Sequence, residues 1–135
     1  MKKTAALILV FAALFICIYG CSPVKRFDDL SQINKIEIRV HSLTDQTYED
    51  IEISDIETVR KICDTFSSLE MKKYKTDKPL MALYELSFFE SGNKKAAESV
   101  YVTASGGVCD GEDLYTVTNG INIIEHLAEI IPNKE

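Results

Sequence analysis

The stretch NKIEIRVHS, Asn34 to Ser42, alternates apolar and polar residues one for one. Ile36, Ile38 and Val40 fall on one side, and Glu37, Arg39 and His41 on the other, the period of a half-buried strand. A polar stretch, LTDQTYED, follows, and IEI at 51–53 resumes the alternation, so a hairpin is expected. ALYELSFFE and ESVYVTAS read as two further strands joined across Ser91-Gly92-Asn93-Lys94. VCDGEDLYTVT reads as two short strands about an Asp110-Gly111 turn. Between the first hairpin and these strands, KKYKTDKPL, Lys72 to Leu80, reads as a basic polar loop.

Two segments change period. In SDIETVRKICDTFSSLEM, Ile56, Val59, Ile62, Cys63, Phe66 and Leu69 recur at helical spacing, with Arg60, Lys61 and Asp64 on the solvent side. Ser54-Asp55-Ile56-Glu57 fits a capping box, with Ser54 as cap and Glu57 reaching back. Near the end, Asn119 can cap GINIIEHLAEII, where Ile121, Ile124, Leu127 and Ile131 are in register, before Pro132 stops the helix. The order predicts an α+β domain: an antiparallel sheet of about four to six strands with two helices packed on one face.

The N-terminus has another pattern. After Met1-Lys2-Lys3 no charged residue appears until Lys25, and the intervening run is almost wholly apolar. A positive start, an apolar centre and a small-residue exit make a secretory leader. Ile18 fits poorly at the position where ordinary cleavage wants a small residue. Ile18-Tyr19-Gly20-Cys21 instead resembles the lipobox of bacterial lipoproteins, with Tyr19 in its loose position. The resemblance implies cleavage between Gly20 and Cys21 and a diacylglyceryl group on the Cys21 sulfur. A lipid anchor of this kind holds stably only with two or more chains. An uncleaved apolar helix ending at Cys21 is the alternative. Both place the domain on the outer side of the membrane.

The expected organisation is a signal peptide at 1–20, a lipidated Cys and short tether at 21–32, and a single extracytoplasmic domain at 33–135. Ser22 to Asp29 reaches at most ~26 Å even when extended, so the domain should lie close to the membrane.

The chain has 135 residues with a net charge of −6. Loss of Lys2 and Lys3 with the leader makes this −8, which argues against nucleic acid or anionic lipid as a partner over most of the surface; Lys25 and Arg26 could touch lipid head groups, but two charges add little. Cys17 leaves with the leader, so Cys63 and Cys109 remain. Two buried free thiols or a disulfide are the alternatives, since spacing cannot show the Cα separation a bridge requires.

No catalytic constellation is visible. His41 ends the first strand on its outer face, and His126 falls on the polar side of the last helix. Asp110, Glu112 and Asp113 lack the ligand spacing of a calcium loop and suit a hairpin turn. Gly106-Gly107 lacks the following helix that a phosphate site would use. No metal or cofactor is expected.

If Ile36, Ile38, Val40, Ile51, Ile53, Leu86, Phe88, Val100 and Val102 face inward, the outer face is mixed. It would carry Glu37, Arg39, His41, Glu52, Leu83, Glu85, Ser87, Phe89, Tyr101 and Thr103. Arg39, His41, Glu85, Phe89 and Tyr101 are the candidate interaction face, because aromatics among charges suit recognition. An ordinary solvated face is the plainer alternative.

With its lipobox, acidic small domain and strand-rich layout, the chain resembles small lipoproteins of unknown function from Gram-positive, Firmicute-type bacteria. The motif covers residues 1–21; beyond them the likeness is one of size and element order. The expectation is a membrane-anchored, non-catalytic binding or interaction module of the cell envelope, with a protein partner. An envelope enzyme or enzyme subunit is the alternative, as is an inhibitor or sensor that presents the Lys72–Leu80 loop.

Overall fold

The computed structural model describes residues 26, 27, 29–111 and 113–131. The apolar N-terminal run expected to be a leader and the Ile18–Cys21 motif lie outside the described residues. The elements are β1 (Ile33–His41), β2 (Tyr48–Ile53), α1 (Ile56–Ser67), β3 (Met71–Tyr74), β4 (Ala82–Glu90), β5 (Glu98–Thr103), β6 (Val108–Asp110), β7 (Asp113–Val117) and α2 (Ile123–Ile130). All seven strands join one antiparallel sheet in the order β2-β1-β4-β5-β6-β7-β3. The α+β architecture is as the alternation implies, with one strand more than the expected range.

The additional strand is β3, where Lys72–Tyr74 lies within the segment expected to be a loop. It pairs with β7 from Met71↔Val117 to Tyr74↔Leu114. Four residues, with only Met71 fully buried, are too few to display a period of two against a lysine-rich background. Lys75–Leu80 remains an exposed connection to β4.

The inward set is placed as the alternation predicts: Ile36, Ile38, Ile53, Leu86, Phe88, Val100 and Val102 are all buried. Val40 and Ile51 are half-buried against the same core. The α1 stripe of Val59, Ile62, Cys63 and Phe66 covers this face. The Phe66 ring meets both Phe27 and Phe88 edge-on at 5.4 Å, a favoured aromatic geometry. Helix α2 buries Ile123 and Leu127 and packs against α1.

Both helix starts lie later than the sequence suggests. Asp55, not Ser54, caps α1: its Oδ2 accepts from the Thr58 amide at 2.9 Å and from the Thr58 hydroxyl at 2.6 Å. A carboxylate satisfies the free amide and faces the positive helix end, which a Ser hydroxyl does less well. Asn122, not Asn119, caps α2, accepting from the Glu125 amide. Asn119 instead donates to the Ser68 carbonyl at 2.7 Å. Beside it, the Thr118 amide and hydroxyl both donate to the Glu70 carbonyl. The approach to α2 thus ties down the chain leaving α1.

The packed domain also starts earlier than residue 33. Phe27 is 2% exposed and Leu30 6%, so both belong to the core rather than to a tether. Arg60 on α1 clamps this segment: its guanidinium donates to the Leu30 and Ser31 carbonyls, each at 3.2 Å, and to the Ile33 carbonyl. Arg26 Nη2 lies 2.6 Å from Asp110 Oδ2 at the end of β6. Two apolar residues three apart, without a repeat, carry no periodic signal.

Candidate interaction face

The sheet face opposite the helices is open over β2, β1, β4 and β5. Antiparallel registry lines up one transverse row across it. Asp50 pairs with Arg39, Arg39 with Glu85, Glu85 with Tyr101, and Tyr101 with Cys109. These partners share a face because paired residues in a ladder project together.

Arg39 is the centre of the row. Its Nε donates to Asp50 Oδ1 at 2.7 Å and its Nη2 to Oδ2 at 3.2 Å, a two-pronged contact that fixes the guanidinium plane. The same group lies 4.2 Å from the Tyr48 ring centroid, within cation–π range. The hydrogen bond from Arg39 holds the Asp50 carboxyl below its ordinary range. On the other flank, Tyr101 Oη donates to Glu85 Oε1 at 3.4 Å. The Glu85 charge, then burial, pushes the Tyr101 phenol up. His41 Nε2 stands 3.7 Å from Glu85 Oε2, an ion pair only when the imidazole is protonated.

Between β2, β1 and β4 the row borders a shallow depression of about 380 Å³ lined by Glu37, Arg39, Asp50, Glu52, Glu85 and Ser87. Carboxylates dominate its rim. Tyr48, 59% exposed, and Tyr101, 40% exposed, stand toward its borders. Chemically the face offers acceptor oxygens for N–H donors, a guanidinium already held in place, and two phenol rings. At the adjoining turn, the Ser42 hydroxyl, then the Thr47 hydroxyl and amide, hold Asp45 down to about 2.

Of the candidate residues, Arg39, His41, Glu85 and Tyr101 come together. Phe89 does not. It is 8% exposed and pairs with Lys35, whose ammonium sits 4.4 Å from its ring centroid. The lysine stem covers the ring, as long charged side chains do. Thr103, also expected on the open face, is buried, and its Oγ1 accepts from the Gly107 amide at 2.9 Å. A Cβ at 107 would come within 3.1 Å of that oxygen, so Gly106-Gly107 serves a tight strand connection. Two members were not singled out from sequence, Tyr48 and Asp50. The signal for Asp50 was present, since pairing the first hairpin about its polar turn sets it opposite Arg39.

Other chemistry-bearing residues have structural partners. Asp113 accepts Lys73 at 2.8 Å, and Glu112 lies outside the described residues. Among the described residues no group of three or more His, Cys, Asp or Glu is placed to hold a metal ion. His126 is exposed on α2. Cys63 and Cys109 are both free and on opposite sides of the sheet, Cys63 on the buried face of α1 and Cys109 beside Tyr101 in the outer row. Burial raises both thiols above their ordinary range. Among the described residues no helix is long and apolar enough to cross a membrane.

No protein-family model, curated protein or solved structure matches this chain.

Proposed function

We propose that the chain is a lipoprotein anchored through Cys21 on the outer side of the cell membrane, and that its domain binds a protein partner without chemistry. The anchor rests on the Ile18-Tyr19-Gly20-Cys21 motif behind a leader-like apolar run. The binding role rests on the pre-set row of Asp50, Arg39, Glu85 and Tyr101, with Tyr48 stacked beside it. Tyr and Arg held rigidly on a flat face lose little freedom on docking and carry much of the energy in interfaces. The acidic rim favours a partner that presents lysines or arginines.

The first test is the intact mass of protein extracted from membranes, beside a Cys21→Ala variant. A chain beginning at diacylated Cys21, lost in the variant, is the expected result. An uncleaved, unlipidated mass would sink the anchor. For the face, Arg39→Ala and Tyr101→Ala should weaken capture of a membrane-surface partner by roughly tenfold or more each, as truncation of such anchors does, while circular dichroism stays unchanged.

The proximity of His41 to Glu85, which lines the depression, favours a second reading, an envelope enzyme using that pair. Hydrolytic or transfer activity lost in His41→Ala would decide for it.

A further inference from the structure

The N-terminal segment determines more than where the domain starts. Phe27 is wedged against Phe66, Arg60 grips the Leu30, Ser31 and Ile33 carbonyls, and Arg26 is paired with Asp110. From Cys21 to Arg26 the chain can span at most ~17 Å. The point where the domain leaves its tether is therefore confined near the lipid.

That point lies at one end of the sheet. Ile33 opens β1 opposite Glu90 at the end of β4, and Asp110 closes β6 opposite Asp113 at the start of β7. The β4–β5 and β6–β7 turns are thus at the tethered end, and the β1–β2 and β5–β6 turns at the other. β1 alone is ~30 Å long at about 3.3 Å per residue, well beyond the reach of the tether.

We propose that the sheet end bearing the β4–β5 and β6–β7 turns abuts the lipid headgroup surface, leaving the β1–β2 turn pointing away from the membrane. The proposal rests on lipid attachment at Cys21. The tether sets this orientation; charge at this end is mixed, with Lys94 and Lys95 exposed on the β4–β5 turn, where cations are drawn to anionic lipids, and Glu90 and Glu98 at the adjoining ends of β4 and β5. The nearby carboxylates of Asp110 and Asp113 are neutralised by Arg26 and Lys73. The opposite end exposes apolar Leu43, Leu80 and Met81, which would be the lipid-seeking end in the absence of a tether constraint.

Energy transfer distinguishes the two orientations. Full-length lipidated protein is reconstituted in phosphatidylglycerol–phosphatidylethanolamine vesicles carrying a headgroup-linked acceptor. A donor dye is placed at Lys94→Cys or at Leu43→Cys, each with Cys109→Ser. Transfer should be at least about twofold stronger from position 94, given the ~30 Å between sheet ends. A flexible Gly/Ser insertion between Cys21 and Arg26 should abolish the difference. Equal or stronger transfer from position 43 in anchored protein would overturn the orientation, and a difference that survives the insertion would overturn the tether as its cause. Intact mass of the same sample separates these outcomes from loss of the anchor itself: unlipidated protein that does not bind vesicles overturns both proposals.

Discussion

Single side chains do much of the positioning, and their cost can be read from their surroundings. Glu98, at the start of β5, has its carboxyl pushed up by burial first and by the neighbouring Asp110 charge second, with Arg26 acting the other way. Its folded-state affinity for a proton exceeds the unfolded one. Stability therefore falls as pH rises from the unfolded value near 4.5 through the folded one, and the full penalty is present at neutral pH. Glu98→Gln should stabilise the domain at pH 7 by less than about 1 kcal/mol, because the site is partly solvated. Urea melts at pH 7 and below pH about 4 check it; the gain should vanish at the lower pH. The same scale shows what one sequence conveys. Arg39 was recognisable as a candidate from alternation alone. The fork to Asp50 follows from hairpin registry rather than from alternation, and the burial of Phe89 depends on Lys35 lying across the sheet from it.

At the scale of elements, long periodic segments announce themselves and short ones do not. β1, β4 and α1 each carry enough turns of the pattern to be read directly. β3 does not, and it matters because it is an edge. β3 closes one edge of the sheet and β2 the other, each with strand backbone that could pair with another chain. Lys72 and Lys73 guard the β3 edge, both exposed and the latter bound to Asp113. Lys72→Val with Lys73→Val should shift the protein toward larger assemblies, measured by light scattering against the parent at equal concentration. An unchanged mass distribution would mean that the charges have no protective role. The caps teach a related lesson. Adjacent candidates such as Ser54 and Asp55 compete, and the winner is whichever side chain reaches the third amide with the better acceptor.

For the whole molecule, the α+β class followed from element order, whereas the sheet order β2-β1-β4-β5-β6-β7-β3 did not. The insertion of β4 beside β1 and the displacement of β3 to the far edge come from long-range pairing that local pattern does not encode. Arg60 is the long-range contact with the clearest consequence. Arg60→Met keeps the stem and removes the donors to three carbonyls, so unfolding free energy should drop by about 1–3 kcal/mol. Proteolysis should then find new cleavage near Phe27 at protease levels that leave the parent chain intact. Retained resistance would assign the segment's hold to Phe27 and Leu30 alone. The clamp also bears on how long such a protein would stay at a cell surface. A protease needs a run of extended, accessible backbone, and a chain anchored at Cys21 with Phe27 already in the core leaves very little of it. Shedding would then be governed by how often the first strand's lead-in peels away, not by how often an enzyme meets the stalk.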